Sequence, residues 1–504
     1  MSTIIPTLSA IKLEIAFTTD PQAVLPTWTD VTPWLMSANT TRGRGVETDI
    51  CDPGTATFAL DNTDGRFDAD NPSSPYAGKI TPLRKVRFSA AVGTALTVPT
   101  LSAPTTAATG GTLSAATYFY KLTALGKGYG DTAASAEVSV TTTGTTSTVS
   151  LAWAAITGAI GYRLYRSSSA GTEVFLVELA GNGTVSYVDT GAAAAGATPA
   201  PSADSSPVTY IHTGYVDSWA RTWPGGAEHS VVELRTTDRF KLIARRTNTG
   251  TTVQESTAAR MRAILLAGGQ GATRIVPAAE FSINPDGYAC RTVIDHVYEV
   301  AASLDSVQDM ARAEGGAIFM RGDGVLSFQS THYRDSNTRA LTSQATFGNT
   351  ATAIQVNADI APMVDDTRQT NYVTITDCNG TLNIAPATEA SASLTANGPI
   401  MLDLGSTLLL PADAQDRVND VLLTRQDPAP RYDSMTVDCF TNGAAMTACL
   451  ALDISHRITL DVRPPGLTAG TSRAYFVERV SHDVTATSWT TTLGLTPTGA
   501  ATAF

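Results

Sequence analysis

Charge is scarce in this chain. Only 16% of its 504 residues are charged, and the balance is acidic, with a net charge of −12. A groove built to grip nucleic acid shows as a basic excess or a basic patch, and neither is present. Acidity instead favours solubility and repels DNA passing nearby. Cysteine is also rare: Cys51, Cys290, Cys378, Cys439 and Cys449 are an odd number and form no CxxC pair. That argues against a disulfide framework or a thiolate metal centre, and isolated buried thiols are the simpler expectation. The six histidines (His212, His229, His296, His332, His456 and His482) make no HxxxH or HExxH pair, which removes the usual signature of a metal hydrolase. There is no GxSxG elbow and no phosphate-binding glycine loop. The N-terminus lacks a basic-then-apolar leader, and no apolar run reaches the ~18 residues that a membrane span needs. The expectation is a protein made and folded in a cytoplasm, without a secretory address.

Apolar residues, by contrast, make up 43% of the chain, enough for packed cores and too much for a disordered polymer. At this length three or more domains are expected. Forty glycines, 25 prolines and abundant Thr and Ala favour short strands and turns over long helices.

The first ninety residues read as β. Apolar and mostly polar residues alternate from Ile11 to Phe17, from Thr55 to Leu60 and from Lys85 to Ala90, the period of half-buried strands. Near Thr94 the composition turns to Ala, Thr, Gly and Ser with almost no charge, and it turns back near Pro207. Inside lie short strands such as Tyr118–Thr123, Thr148–Trp153 and Gly161–Arg166, at the spacing of a β-sandwich. Small-residue stretches flank it, around Gly93–Ala95 and from Gly191 to Ser206, and read as linkers. Tyr210–Val216 and Val231–Thr236 then resume the earlier strand style, so the sandwich is inserted in a loop of the first β-domain. Such insertions are tolerated because loop-closure entropy grows slowly with length.

Beyond this, the spacing predicts a helix over Thr257–Ala267, stopped by Gly268-Gly269, and a second from Ser303, as N-cap, to Gly315-Gly316. A hairpin follows, Ile318–Met320 and Val325–Phe328 around Arg321-Gly322-Asp323-Gly324. Period-two strands return at Tyr372 and recur at Met435–Cys439, Ile458–Val462 and Trp489–Leu495, with one helix near Ala412–Arg425. The expected fold is mainly β: two β-barrel domains bracketing a small α+β domain, with an inserted sandwich. The boundaries are 1–94 with 206–246 for the first barrel, 95–205 for the insertion, 247–370 for the α+β unit and 371–504 for the second barrel.

Three stretches together carry a resemblance. Trp28–Thr32 with the run Gly54–Asp68 (GTATFALDNTDGRFD), then His212–Trp219 (HTGYVDSW) leading to Thr237–Phe240 (TDRF), then Tyr475–His482 (YFVERVSH) leading to Trp489–Leu493 (WTTTL) resemble minor tail proteins of long-tailed bacteriophages of high-GC Gram-positive hosts. The resemblance covers about 400 residues outside the insertion. It implies a baseplate hub-like protein at the virion's tail tip, a homotrimer whose six barrels match the six-fold tail tube. The implied partners are the distal tail protein, the tape measure protein and other tail-tip or fibre proteins, with DNA only in transit. It implies no enzyme, no cofactor and no metal. The insertion resembles fibronectin type III modules through Trp153, Gly161–Tyr165 and Tyr187–Thr190, although a stretch like the module's late strands, Tyr118–Val140, precedes Trp153. Such decorations face outward, and the alternative reading is host attachment: a carbohydrate-binding adhesin that contacts a cell-wall glycan through the inserted sandwich. A tail-associated peptidoglycan hydrolase is a third reading, supported by location alone.

Asp61, Asn62, Asp64, Asp68 and Asp70 suggest a calcium loop, but the first ligand position of an EF-hand pattern falls on Leu60, and a turn rich in Asn and Asp accounts for them. Asp295-His296 and Ser303 hint at a triad without a nucleophile elbow. Arg321-Gly322-Asp323 spells an adhesion tripeptide in a place where a hairpin needs Gly and Asp anyway. Trp28, Trp34, Trp219 and Trp223 suit either a sugar-stacking shelf or, more simply, core and interface anchors.

Overall fold

The computed structural model describes residues 11–23, 26–222, 230–266, 281–285, 287–357, 360, 362–364, 366–377, 383–384, 391–426, 430–466 and 470–498. The chain is mainly β, as its alternating pattern requires.

Among the described residues, thirteen strands join in one sheet. Its first half runs Thr29–Asp30, Ile11–Ala16, Lys85–Ala91, Val208–Thr222, Val231–Thr237, Asp52–Asp61 and Leu35–Gly43. The two ends of this half are consecutive in the chain, linked by the short turn Thr32–Trp34. The second half runs Thr471–Thr485, Arg457–Val462, Thr346–Gly348 and Ile354–Gln355, with Trp489–Pro497 and then Ser434–Asp438 on the other side of Thr471–Thr485. It curls back on itself, since the Asn357 N–H donates to Thr436 O at 2.9 Å. Among the described residues the ladders trace no closed ring in either half.

One strand welds the halves together. Residues 471–476 pair with Arg457–Val462, while 479–485 pair with Leu35–Gly43. The change of partner coincides with a bulge between Val477 and Arg479, the device by which a strand is re-aimed. A single hydrophobic core follows from this continuity, holding Phe58, Phe88 and Leu234 of the first half with Val437, Leu460 and Trp489 of the second.

A second core belongs to the α+β unit. Helix Thr257–Leu266 and helix Ser303–Glu314 pack there against the hairpin Ala317–Met320 and Leu326–Gln329. Gly315 closes the second helix in the left-handed region, φ 73°, as the glycine pair suggested. Ser303 is not the cap: Ala302 holds that position, and the buried Ser303 hydroxyl has no partner. Gly268-Gly269 lie outside the described residues.

The segment after Tyr372 departs from the expectation. Val373 and Ile375 face this second core, together with Val418 and Val421 of helix Pro411–Arg425. Strand Tyr372–Asp377 pairs in parallel with Met401–Thr407, and a parallel pair needs a crossover, here containing helix Ser391–Asn397. Conversely, Thr346–Gly348 pairs with Arg457–Val462, and Phe347 enters the large core. The boundary expected at 370/371 therefore does not separate the cores. A period of two identifies a half-buried strand but not the core it faces. Helix Gly443–Leu450 is a further element that the alternation concealed.

The inserted segment forms two sheets. Val174–Ala180, Gly161–Ser167, Thr117–Leu125 and Val138–Thr141 make one; Ser186–Asp189, Thr148–Ala152 and Thr105–Ala107 make the other. Between them Tyr120, Leu122, Leu151, Trp153, Tyr162 and Leu164 are buried. The Gly191–Ser206 stretch is bound rather than slack: Phe175 N–H donates to Thr198 O, Ala200 N–H to Glu173 O and Ser205 N–H to Asp131 O.

Candidate functional site: the junction of the four lobes

The inserted sandwich, both β halves and the α+β hairpin meet at one place, and charged side chains concentrate there. Arg163 lies opposite Glu178 on adjacent sandwich strands, so register sets the pair. Its guanidinium also reaches Asp131 at 2.5 Å and Asp323 at 3.3 Å. From the hairpin, Arg321 Nη1 donates to Glu178 at 2.6 Å and Arg321 Nη2 to Asp323 at 2.7 Å. Arg321 also stacks over the Tyr129 ring at 4.1 Å. Burial pushes the Glu178 carboxyl up, but Arg321 and Arg163 outweigh it and hold the group well below its usual range. Two guanidinium groups thus share three carboxylates between the sandwich and the body.

Backbone fit completes this dock. A Cβ on Gly322 would stand 1.9 Å from Tyr210 O, and one on Gly128 would stand 2.3 Å from Thr209 Cα. Hence the Arg-Gly-Asp sequence is a buried clamp, with Arg321 5% and Asp323 7% exposed at the side chain. An adhesion receptor could not reach it.

Two further links cross the junction. Asp453 accepts from Arg42 Nε at 3.0 Å and from the Tyr129 hydroxyl at 2.9 Å, tying the second β half to the first and to the sandwich. His456 Nδ1 accepts the Asp453 N–H at 2.8 Å, which requires that nitrogen to be unprotonated. At the bulge of the welding strand, the fully buried Glu478 pairs with Arg44 at 2.8 Å and Arg334 at 2.7 Å. Gly43 is obligatory beside it, at φ 112° and with a would-be Cβ 2.1 Å from Glu478 O.

A cavity of about 10 Å³ lies among Arg42, Gly54, His212, Asp238 and Arg321, with room for at most one water molecule. Asp238 there is pushed up to about 7 by burial, although it accepts from Gly54 N–H and Phe240 N–H. His212 and His482 are each driven down to about 3, by burial first and by the Arg42 charge second. His212 bonds Thr236 and His482 bonds Thr491, so both are satisfied as neutral rings.

The other candidates are placed apart from this junction. Asp61 accepts from Thr63 and Asp64 from Arg66, while Asp68 and Asp70 hold Arg221, and Asn62 accepts the Phe67 N–H. The loop's oxygens are spent on its own turns and on a strap to strand Val208–Thr222. His296 packs edge-on to Tyr298, and no hydrogen bond joins Asp295, His296 and Ser303 among the described residues. His332 is exposed. Trp219 stacks with Phe17 and Phe67 and donates to Thr81 O. Trp34 and Trp28 lie under Arg66 and Arg87, at 3.6 and 4.4 Å. They anchor the first half rather than form a shelf. Trp223, His229 and Cys378 lie outside the described residues, and Cys51, Cys439 and Cys449 are buried free thiols.

Sequence reasoning missed the clamp. The one signal was Arg163 and Glu178 standing inside apolar strands of a segment almost devoid of charge.

No family model matches the sequence, and no curated protein matches it. Among solved structures, the chain is similar to a 43 kDa tail protein of prophage MuSo2 from Shewanella oneidensis, with a TM-score of 0.44 and 9% identity over 97% of each chain. A tail protein from Neisseria meningitidis overlaps 78% of this chain and 96% of its own, with a TM-score of 0.39 and 11% identity. A prophage tail protein from Listeria monocytogenes overlaps 75% of this chain and 87% of its own, with a TM-score of 0.34 and 10% identity.

Proposed function

We propose that this protein is a structural subunit of a phage tail: a homotrimeric hub at the tail tip. It joins the tail tube and its distal ring to the tip and surrounds the channel for DNA and tape measure protein. The observation that carries the reading is the weld. Two β lobes share one sheet and one core through strand Thr471–Thr485, so a single subunit presents two β lobes at a fixed relative position. Three such subunits offer six lobes, the arithmetic needed to meet a six-fold tube. The tail-protein resemblance of the Gly54–Asp68, His212–Trp219 and Tyr475–His482 segments supports the same role.

The junction chemistry agrees with a part built for rigidity. Its carboxylates and guanidinium groups are consumed by one another, and its cavity admits no substrate. Native mass spectrometry of the purified chain tests the reading: a trimer, or a complex with a distal tail protein, is expected. A stable monomer that binds no tail protein refutes it.

A further inference from the structure

Two buried cysteines meet in the second β half. Cys439 follows strand Ser434–Asp438, and Cys449 lies in the last turn of helix Gly443–Leu450. Both belong to the large core, at 1% and 0% exposure. The helix packs across the seam where the sheet curls back, against Ser434–Asp438 on one side and Ile354–Gln355 on the other. Both ends of the connection are held. Cys439 N–H donates to Trp489 O at 2.8 Å, and Asn442 caps the helix by accepting from Ala444 N–H and Ala445 N–H at 3.1 Å.

The two sulfurs come together at Thr491. Cys439 Sγ stands 3.3 Å from Thr491 Oγ1, and the Cys449 thiol is in hydrogen-bonding reach of both. This contact makes the thiols chemically unequal. The hydrogen bond from Cys449 holds the Cys439 thiol below its ordinary value in spite of burial. Donating that bond, and burial next, raise Cys449 well above its own. Cys439 is thus the sulfur that ionises first, with a protonated thiol beside it, the relation of an attacking to a resolving cysteine. Cys51 is different: burial pushes it up to about 12, and its charged neighbours are Arg44, Glu478, Arg334 and Asp52. Sulfurs already in contact can be bridged with little movement of the backbone.

We propose that Cys439 and Cys449 form a peroxide-sensitive dithiol, which closes to a disulfide and staples helix Gly443–Leu450 to the end of strand Ser434–Asp438. The Cys439 sulfur attacks one oxygen of hydrogen peroxide; the O–O bond breaks, giving a Cys439 sulfenic acid and a water. The Cys449 sulfur then attacks the Cys439 sulfur, the S–O bond breaks, and a second water carries off the Cys449 proton. Two thiols and one peroxide give one disulfide and two waters, with two electrons passing from sulfur to oxygen. Neither sulfur is exposed, so the small oxidant enters as the short helix lifts locally from the core. The chemistry does not rest on the tail reading; only its setting does. In that setting the dithiol is the form made in a reducing host cytoplasm, and the disulfide is the form of the particle outside it.

Peptide mapping of the full chain tests this. The protein is treated with a small excess of hydrogen peroxide, denatured, alkylated with N-ethylmaleimide and cut with trypsin; the peptide from Tyr432 to Arg457 carries both cysteines. That peptide is expected to lack two hydrogens and to carry no maleimide. A peptide with both thiols alkylated, or with a sulfinic acid and no cross-link, overturns the proposal. In Cys449→Ser the reaction should stop at a Cys439 sulfenic acid that dimedone traps, whereas Cys449 in Cys439→Ser should take up none; the reverse pattern overturns the roles of the two sulfurs. Oxidised wild type should melt roughly 2–3 °C above the reduced protein, and equal melting overturns the staple. If neither variant folds, the wild-type peptide decides. A monomer in native mass spectrometry would count against the hub and leave this peptide result standing.

Discussion

Replacing Arg321 by methionine tests whether the clamp holds the inserted sandwich to the body. In the native chain Glu178 accepts both Nη atoms of Arg321 and the guanidinium of Arg163, at a side-chain exposure of 8%. Without Arg321, three carboxylates (Asp131, Glu178 and Asp323) face the single guanidinium of Arg163. Removing one partner of a buried pair costs about 3–5 kcal/mol, because the remaining charge stays desolvated. The loss should be local, since each lobe has its own core or shares one away from the clamp. Hydrogen exchange reads it: amides of Val174–Ala180 and of the Ala317–Gln329 hairpin should exchange roughly 10²- to 10⁴-fold faster, with the large sheet unchanged. Glu178→Met should also loosen the dock, and the double variant should lose less than the two singles combined, because Arg321 and Glu178 are each other's partners and their bond is lost only once. Exchange in Arg321→Met within about threefold of wild type would refute the clamp.

Gly322→Ala should cost more than about 4 kcal/mol, because its Cβ meets backbone, Tyr210 O at 1.9 Å, rather than a side chain able to move; chemical denaturation checks this. Acid should loosen the junction. His212 and His482 have folded values of about 3 against 6.5 unfolded, so their contribution is complete above 6.5 and is lost as pH falls towards 3. At pH 5 that is about 2 kcal/mol each. Asp238, at about 7 folded against 3.8 unfolded, works the other way, its contribution complete below 3.8 and gone above 7. It offsets roughly one of the two histidines between pH 6.5 and 5. Urea midpoints at pH 7 and 5 should therefore fall on acidification, and His482→Gln should reduce the fall. An unchanged midpoint refutes the assignment.

What the sequence determined by itself was the local alphabet. Alternation at Ile11–Phe17, Thr55–Leu60 and Ile458–Val462 specified strands, because a half-buried strand has a side-chain period of two whatever surrounds it. The glycine pair at 315–316 marked a helix end, and the fall in charge between Thr94 and Pro207 marked an inserted unit. Which strands became neighbours was decided only in three dimensions. Strand Tyr372–Asp377 carries the same pattern as Arg457–Val462 yet faces a different core, because the pattern says that one face is covered and not by what. The tertiary structure alone brought Arg163, Glu178 and Arg321 together across up to 158 residues of chain. Buried charges attract over a few ångströms, and a sequence of sparse, scattered charges holds no record of which ones will be that close.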